Sequence, residues 1–198
     1  MAIQHLALCV ILCVFSFSGL SQEFIDSTTN KRKWFVPDGI VIQYAGGSGM
    51  ISGGILYDAY PKTEIAFTVG YTPPEFGNIT TFNLYGSYTF LKYQDSDFLM
   101  EFLSAGIFAQ TGIGDNIYIR WPDRYPEMYY WWNSSVRFGP FLNSQISFTP
   151  KKHKFVYTAF FQCNTNDLYI ATYYHSSKAI QLYDILVFGT GLKISFKE

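Results

Sequence analysis

The feature that most constrains this chain is the period-two alternation of its last stretch, Ile185–Phe196. Leu186, Phe188, Leu192, Ile194 and Phe196 fall on one face of an extended strand, and Gly189, Gly191, Lys193 and Ser195 on the other, because successive side chains in a strand point to opposite sides. One face is apolar and the other small, polar or charged. The same pattern is cleanest in Lys62–Thr72, where Ile65, Phe67, Val69 and Tyr71 alternate with Glu64, Ala66, Thr68 and Gly70. Segments of this kind separate two environments, one apolar and one polar.

Composition narrows which environments these are. Aromatic residues make up 20% of the 198 and charged residues 15%, against roughly 25% charged in an average soluble domain. That balance tilts toward an apolar solvent. Mean hydropathy is nevertheless close to zero, and after the N-terminal stretch no apolar run approaches the ~20 residues a membrane helix needs. Strands are left as the elements that could span. A net charge of −1 gives no electrostatic footprint for nucleic acid. Of three cysteines, Cys9 and Cys13 lie in the N-terminal apolar stretch and Cys163 stands alone, which excludes a disulfide framework and a cysteine zinc site. No cofactor or metal is expected.

Residues 1–21 read as a secretory signal peptide, with an apolar core from Leu6 to Phe17 and small residues in Ser18-Gly-Leu-Ser21 that suit cleavage before Gln22. Residues 22–33 are polar and read as a periplasmic arm. Residues 34–198 then carry eight alternating runs: Gly39–Ala45, Met50–Asp58, Lys62–Thr72, Ile79–Leu91, Phe98–Thr111, Asn133–Thr149, Phe155–Cys163 and the closing strand. No helical period stands out among them. Most approach or exceed the length of about 9–11 residues that a spanning strand needs. Gly46-Gly-Ser-Gly49 reads as a hairpin turn and not as a phosphate cradle, since no Lys-Ser/Thr ending follows. Long connections at 112–132 and 164–184 follow runs five and seven, while those after runs two, four and six are short, as expected when both termini share one side of a membrane; the short Gly46–Gly49 connection after run one is the exception. Pro140 inside run six predicts a bulge, because proline has no N–H to give a ladder. In run five Glu101 is expected to face inward and Phe98, Met100, Phe102 and Phe108 outward, since a carboxylate against lipid is costly.

Three groups of residues are candidate sites. The predicted lumen carries Glu64, Glu101, Arg137 and Lys193 beside Gln43, Asn83, Asn143, Gln145, Thr158 and Gln162. An eight-stranded barrel is just wide enough for side chains to fill, so buried charges there must pair, and Glu64 and Glu101 are expected close to Arg137 or Lys193. The first long connection holds Tyr118, Trp121, Tyr125, Tyr129, Tyr130, Trp131 and Trp132. Such a concentration of amphipathic rings suits a binding surface for glycan, lipid headgroup or protein, or an interfacial belt and lid. The third group is His175-Ser-Ser-Lys-Ala179, where a His and a Ser two residues apart could act as base and nucleophile if Asp184 orients the His.

Several of these stretches carry resemblances. The closing strand, ending in an aromatic, resembles the one that bacterial outer-membrane barrels present to their assembly machinery, which implies a contact through Leu186–Phe196. His175 and Ser177 resemble the His-x-Ser-Asn-Ala element of outer-membrane lipid A deacylases, with Lys178 in place of the Asn. Lys33-Trp-Phe-Val-Pro-Asp38, Gln43-Tyr-Ala-Gly46, Gly70-Tyr-Thr-Pro73, Trp121-Pro-Asp-Arg-Tyr-Pro126 and Thr165-Asn-Asp-Leu-Tyr169 are similar to the pattern of an uncharacterised family of small outer-membrane proteins from Bacteroidota. That similarity implies fold and location and supplies no mechanism.

The expected object is an all-β, eight-stranded antiparallel outer-membrane barrel with an N-terminal signal peptide, monomeric and in contact with lipid and lipopolysaccharide. Its expected role is non-enzymatic, with the aromatic loops as a binding or lid surface. The alternatives are a lipid A-modifying hydrolase using His175 and Ser177, and a secreted lipocalin-like barrel with a ligand inside. The last would need the opposite polarity, polar outside and apolar within.

Overall fold

Eight strands in chain order close on themselves as one antiparallel barrel: β1 (Gly39–Ala45), β2 (Ile51–Tyr60), β3 (Thr63–Thr72), β4 (Ile79–Gln94), β5 (Phe98–Gly114), β6 (Val136–Phe148), β7 (Phe155–Asn164) and β8 (Val187–Phe196). The computed structural model describes residues 36–94, 98–114, 117, 135–150, 154–176 and 179–196. The expected signal peptide (1–21) and arm (22–33) lie outside the described residues. Closure is made by β8 on β1, in register from Gly39 against Ser195 to Ala45 against Gly189, so no sheet edge is left along the wall. Among the described residues no helix is long and apolar enough to cross a membrane. Chain entry near Asp38 and exit near Phe196 meet at one end of the barrel, joined by the Phe196 N–H donating to the Asp38 carbonyl at 2.8 Å. This is called the terminal end below, and the other the loop end.

The two faces of the wall differ as the alternation predicts. Ile40, Ile42, Phe67, Val69, Leu84, Ile107, Leu142, Ile146 and Leu192 are exposed on the outside. The outward rows of the described strands carry no charged side chain; Lys92, at the terminal end of β4, pairs with Glu101 and so shares its inner face. Outward hydroxyls turn back onto the wall: Thr190 Oγ1 donates to the Phe160 carbonyl at 2.8 Å, and Ser144 Oγ donates to the Glu101 carbonyl at 3.4 Å.

The interior is filled in three tiers. In the middle lie Val41, Leu56, Ala66, Tyr85, Phe108, Phe141 and Phe160, a single buried cluster. Its rings are accommodated by cross-strand glycines: Phe141 pairs with Gly106 and Phe160 with Gly191, and a Cβ at either glycine would come within 2.7 Å of the ring. Tyr85 completes the tier, with ring centroids 5.8 Å from Phe108 and 5.5 Å from Phe141, the latter edge-on, an arrangement the ring quadrupoles favour. Below it, at the terminal end, are Glu64, Glu101, Gln145 and Lys193. Above it, at the loop end, are the amides and hydroxyls of Gln43, Ser48, Ser52, Thr68, Thr81, Asn83 and Asn164, all buried.

Four expectations are corrected here. Phe108 faces inward, not outward, because the β5 ladder to β6 shifts register between Glu101 and Ser104; the extra residue lets Glu101 and Phe108, of opposite parity, share the inner face. The bulge expected at Pro140 is absent, since Pro140 stays in register with Ile107. Proline is tolerated there because β7 ends at Asn164 opposite Phe141, so no ladder donor is required above it, and the Pro140 carbonyl takes the Thr165 N–H at 3.3 Å. The second long connection is not irregular throughout: it contains a helix, α1 (Asp167–His175), and a 3-10 turn at Leu182–Ile185. Finally, β5 runs on to Gly114, so the first long connection begins later than residue 112.

Candidate functional site

Lys193 is the centre of the terminal-end tier. It stands on β8 with only 6% of its side chain exposed, and its Nζ lies 2.6 Å from Glu64 Oε1 and 2.9 Å from Glu64 Oε2. Its third proton goes to Gln145 Oε1 at 2.7 Å. Gln145 Nε2 in turn donates to Glu101 Oε2. One lysine therefore ties β8 to β3 and β6 across the lumen, and through Gln145 to β5. The alkyl stem and charge also approach the Phe160 ring, with Nζ 5.1 Å from its centroid. Satisfying every ammonium proton is what allows a charge to be buried at all.

Arg137 does not join this group. It lies on the same strand as Gln145 but eight positions toward the loop end, about 26 Å away at roughly 3.3 Å per residue. Its Nη1 is 3.7 Å from Asp167 Oδ2 and donates to the Val136 carbonyl at 2.8 Å. The other oxygen of Asp167 accepts the Phe138 N–H at 3.3 Å. Asp167 thus continues the β6 ladder where β7 has stopped and opens α1. That helix is capped by Asn166, whose side chain accepts the Tyr169 N–H at 2.9 Å.

The loop end is closed from within. The β1–β2 turn, with positive φ at Ala45, Gly46, Gly47 and Gly49, folds into the mouth of the barrel. Its Ser48 carbonyl accepts Thr81 Oγ1 at 2.7 Å, Ser48 Oγ meets Ser52 Oγ at 3.1 Å, and Asn164 Nδ2 hooks the Gly46 carbonyl at 2.6 Å. Gly70 makes room for it: a Cβ there would collide with the Ser48 carbonyl and approach Thr81 Oγ1 at 2.6 Å. Gly139 does the same for the chain leaving β7, which crosses at Thr165 and Asn166 over its inner side.

His175 ends α1 as an exposed ring set edge-on to Tyr174 at 5.7 Å. It lies on a helix where the sequence suggested a loop. The Asp184 carboxylate is engaged by the Gln181 N–H at 2.8 Å, within the 3-10 turn, and does not orient His175. Ser177 lies outside the described residues, as do Tyr118, Trp121, Tyr125, Tyr129, Tyr130, Trp131 and Trp132. No residue of α1 is buried; Leu168, Tyr169, Ile170 and Tyr174 are exposed, and so are Leu182 and Tyr183 of the turn. The described residues contain no group of three or more His, Cys, Asp or Glu side chains placed to hold a metal ion.

The residues least visible from sequence are the aromatic plug residues Phe108, Phe141 and Phe160. Their signal was an aromatic on an otherwise polar row facing a glycine on the next strand. Comparison with family models, with curated proteins and with solved structures finds no match.

Proposed function

We propose that this chain is a small outer-membrane β-barrel, exported by a signal peptide at residues 1–21, that acts through the surface it presents at the loop end and not through its lumen. The observation that carries this reading is the inverted polarity of the wall, charged and amide groups inside and an uncharged apolar surface outside. A charged side chain on such a surface would cost about 2–4 kcal/mol at a bilayer midplane. The outward row of β6, from Val136 to Phe148, spans about 30 Å after a tilt of roughly 40°, matching an apolar band of about 25 Å with its flanks. Polarity of this sense also argues against a lipocalin-like carrier.

The filled middle tier and the inserted β1–β2 turn favour a structural core over a conduit. The same geometry supports a non-enzymatic role, because the Asp184 carboxylate is held by the Gln181 N–H within its own turn. What remains for contact with the outside is the exposed Tyr169 and Tyr174 of α1, to which the sequence adds the Tyr/Trp-rich residues 118–132, outside the described residues, as candidates. The partners on this reading are lipid and lipopolysaccharide around the wall, the barrel assembly machinery through Leu186–Phe196, and a ligand or protein at the loop end.

Heat modifiability tests the reading. The detergent-extracted chain is expected to run as a compact band unheated and a slower band after boiling, and to float with lipid vesicles through an alkaline wash. A protein that is monodisperse without detergent and leaves the vesicles in the wash would refute it.

A further inference from the structure

We propose that the interior holds one ordered water molecule between Asn143 and Gln162, bridging the charged tier to the amide tier above it. These two residues are directly opposite one another on β6 and β7, so their Cβ atoms stand about 5 Å apart. Both are more than nine-tenths buried, at 6% and 4% exposure. Both line the same pocket within the barrel, together with Lys193 and Glu64, with a volume of about 20 Å³. That is enough for one water, which needs roughly 10–15 Å³ by this measure.

The hydrogen bonds around the cavity select its occupant. Lys193 spends its three protons on the two Glu64 oxygens and Gln145 Oε1, so it has none for the cavity. Gln145 is held as an acceptor there because its Nε2 is committed to Glu101. Asn143 must then turn its Nδ2 toward Gln145 Oε1, which it does at 3.3 Å, and its Oδ1 is left without a partner. On the facing strand Gln162 Nε2 has no acceptor at close hydrogen-bond geometry; the Tyr85 hydroxyl can take at most one of its two protons, which leaves the other for the cavity. One orphan is an acceptor and the other a donor. A cation could satisfy only Asn143 and an anion only Gln162, whereas water donates to one and accepts from the other. Leaving both unmet would be costly in a buried site.

This inference does not depend on a membrane location and is tested on the full chain folded in detergent. A crystal structure at a resolution that shows waters is expected to place one density peak within about 3.2 Å of both Asn143 Oδ1 and Gln162 Nε2. Magnetic relaxation dispersion of water oxygen-17 is expected to count one long-lived water fewer in Gln162→Leu and in Asn143→Leu than in the wild type. Direct bonding of the two amides, an empty cavity, or an anomalous peak there after bromide or rubidium soaking would overturn the proposal. If neither variant folds, the wild-type density alone decides.

Discussion

Replacing Lys193 by Met separates a structural clamp from an incidental surface pair. Methionine keeps most of the volume of the lysine stem, so the cavity left behind is small and the loss is electrostatic. The substitution removes three hydrogen bonds, two to Glu64 and one to Gln145. Breaking a fully buried pair from one side costs about 3–5 kcal/mol. Glu64 is 24% exposed against 6% for Lys193, so the abandoned carboxylate recovers part of its hydration and the expected loss is near the lower bound, about 3 kcal/mol. Adding Glu64→Gln removes that stranded charge and is expected to return about half of the loss, because much of the cost of breaking such a pair is the charge left behind. The assay is the urea midpoint of the detergent- or vesicle-folded barrel, read from the heat-sensitive gel band and converted through the denaturant slope. A Lys193→Met loss under about 0.5 kcal/mol, or two substitutions that simply add, would refute the clamp.

Three further outcomes follow from the same geometry. Gly70→Ala is expected to expel the β1–β2 turn, because a Cβ there collides with the Ser48 carbonyl; amide exchange at residues 46–49 should rise at least tenfold, and unchanged exchange would show the turn is not wedged there. Ile107→Lys, on the exposed outer row of β5, should cost about 2–4 kcal/mol in a bilayer, whereas a change near zero would argue for a water-facing wall. His175→Ala should leave the mass profile of cellular lipid A identical to that of cells carrying the wild-type chain, and loss of a deacylated species on substitution would revive the hydrolase reading.

The strand rows were legible because alternation needs only local information: a residue and its neighbours two positions away report which side each side chain takes. Run Lys62–Thr72 became β3 (Thr63–Thr72) almost unchanged, and its inward Glu64 could be placed from parity alone. What parity cannot carry is a change of phase. Glu101 and Phe108 are seven apart, an odd separation, so any uninterrupted strand must put them on opposite faces. Placing a carboxylate next to Gln145 and a phenyl ring next to Tyr85 on the same inner face therefore requires an extra residue between them, and its position at Glu101–Ser104 is decided by Gln145 and Asn143 on β6, far away in sequence.

The same reasoning explains the missed helix and the misplaced arginine. Helix α1 has no buried face, so there was no 3.6-residue apolar stripe to detect; its only sequence signals were Asn166 at the cap, Asp167 in the first turn and His175 in the last, each favourable for a helix end. Arg137 was correctly on an inward row, but a row is a line about 40 Å long along a strand of this length, and parity says nothing about height. Height is set by register and by how far each strand outlasts its neighbour. Because β6 outlasts β7 at the loop end, Arg137 meets Asp167 on the returning chain instead of the carboxylates at the terminal end, and the same overhang leaves the Phe138 N–H for Asp167 to accept. One carboxylate thus serves two groups where β6 runs past the end of β7, a ladder N–H and an inward cation, which is a physical reason for an acid at the first position of α1.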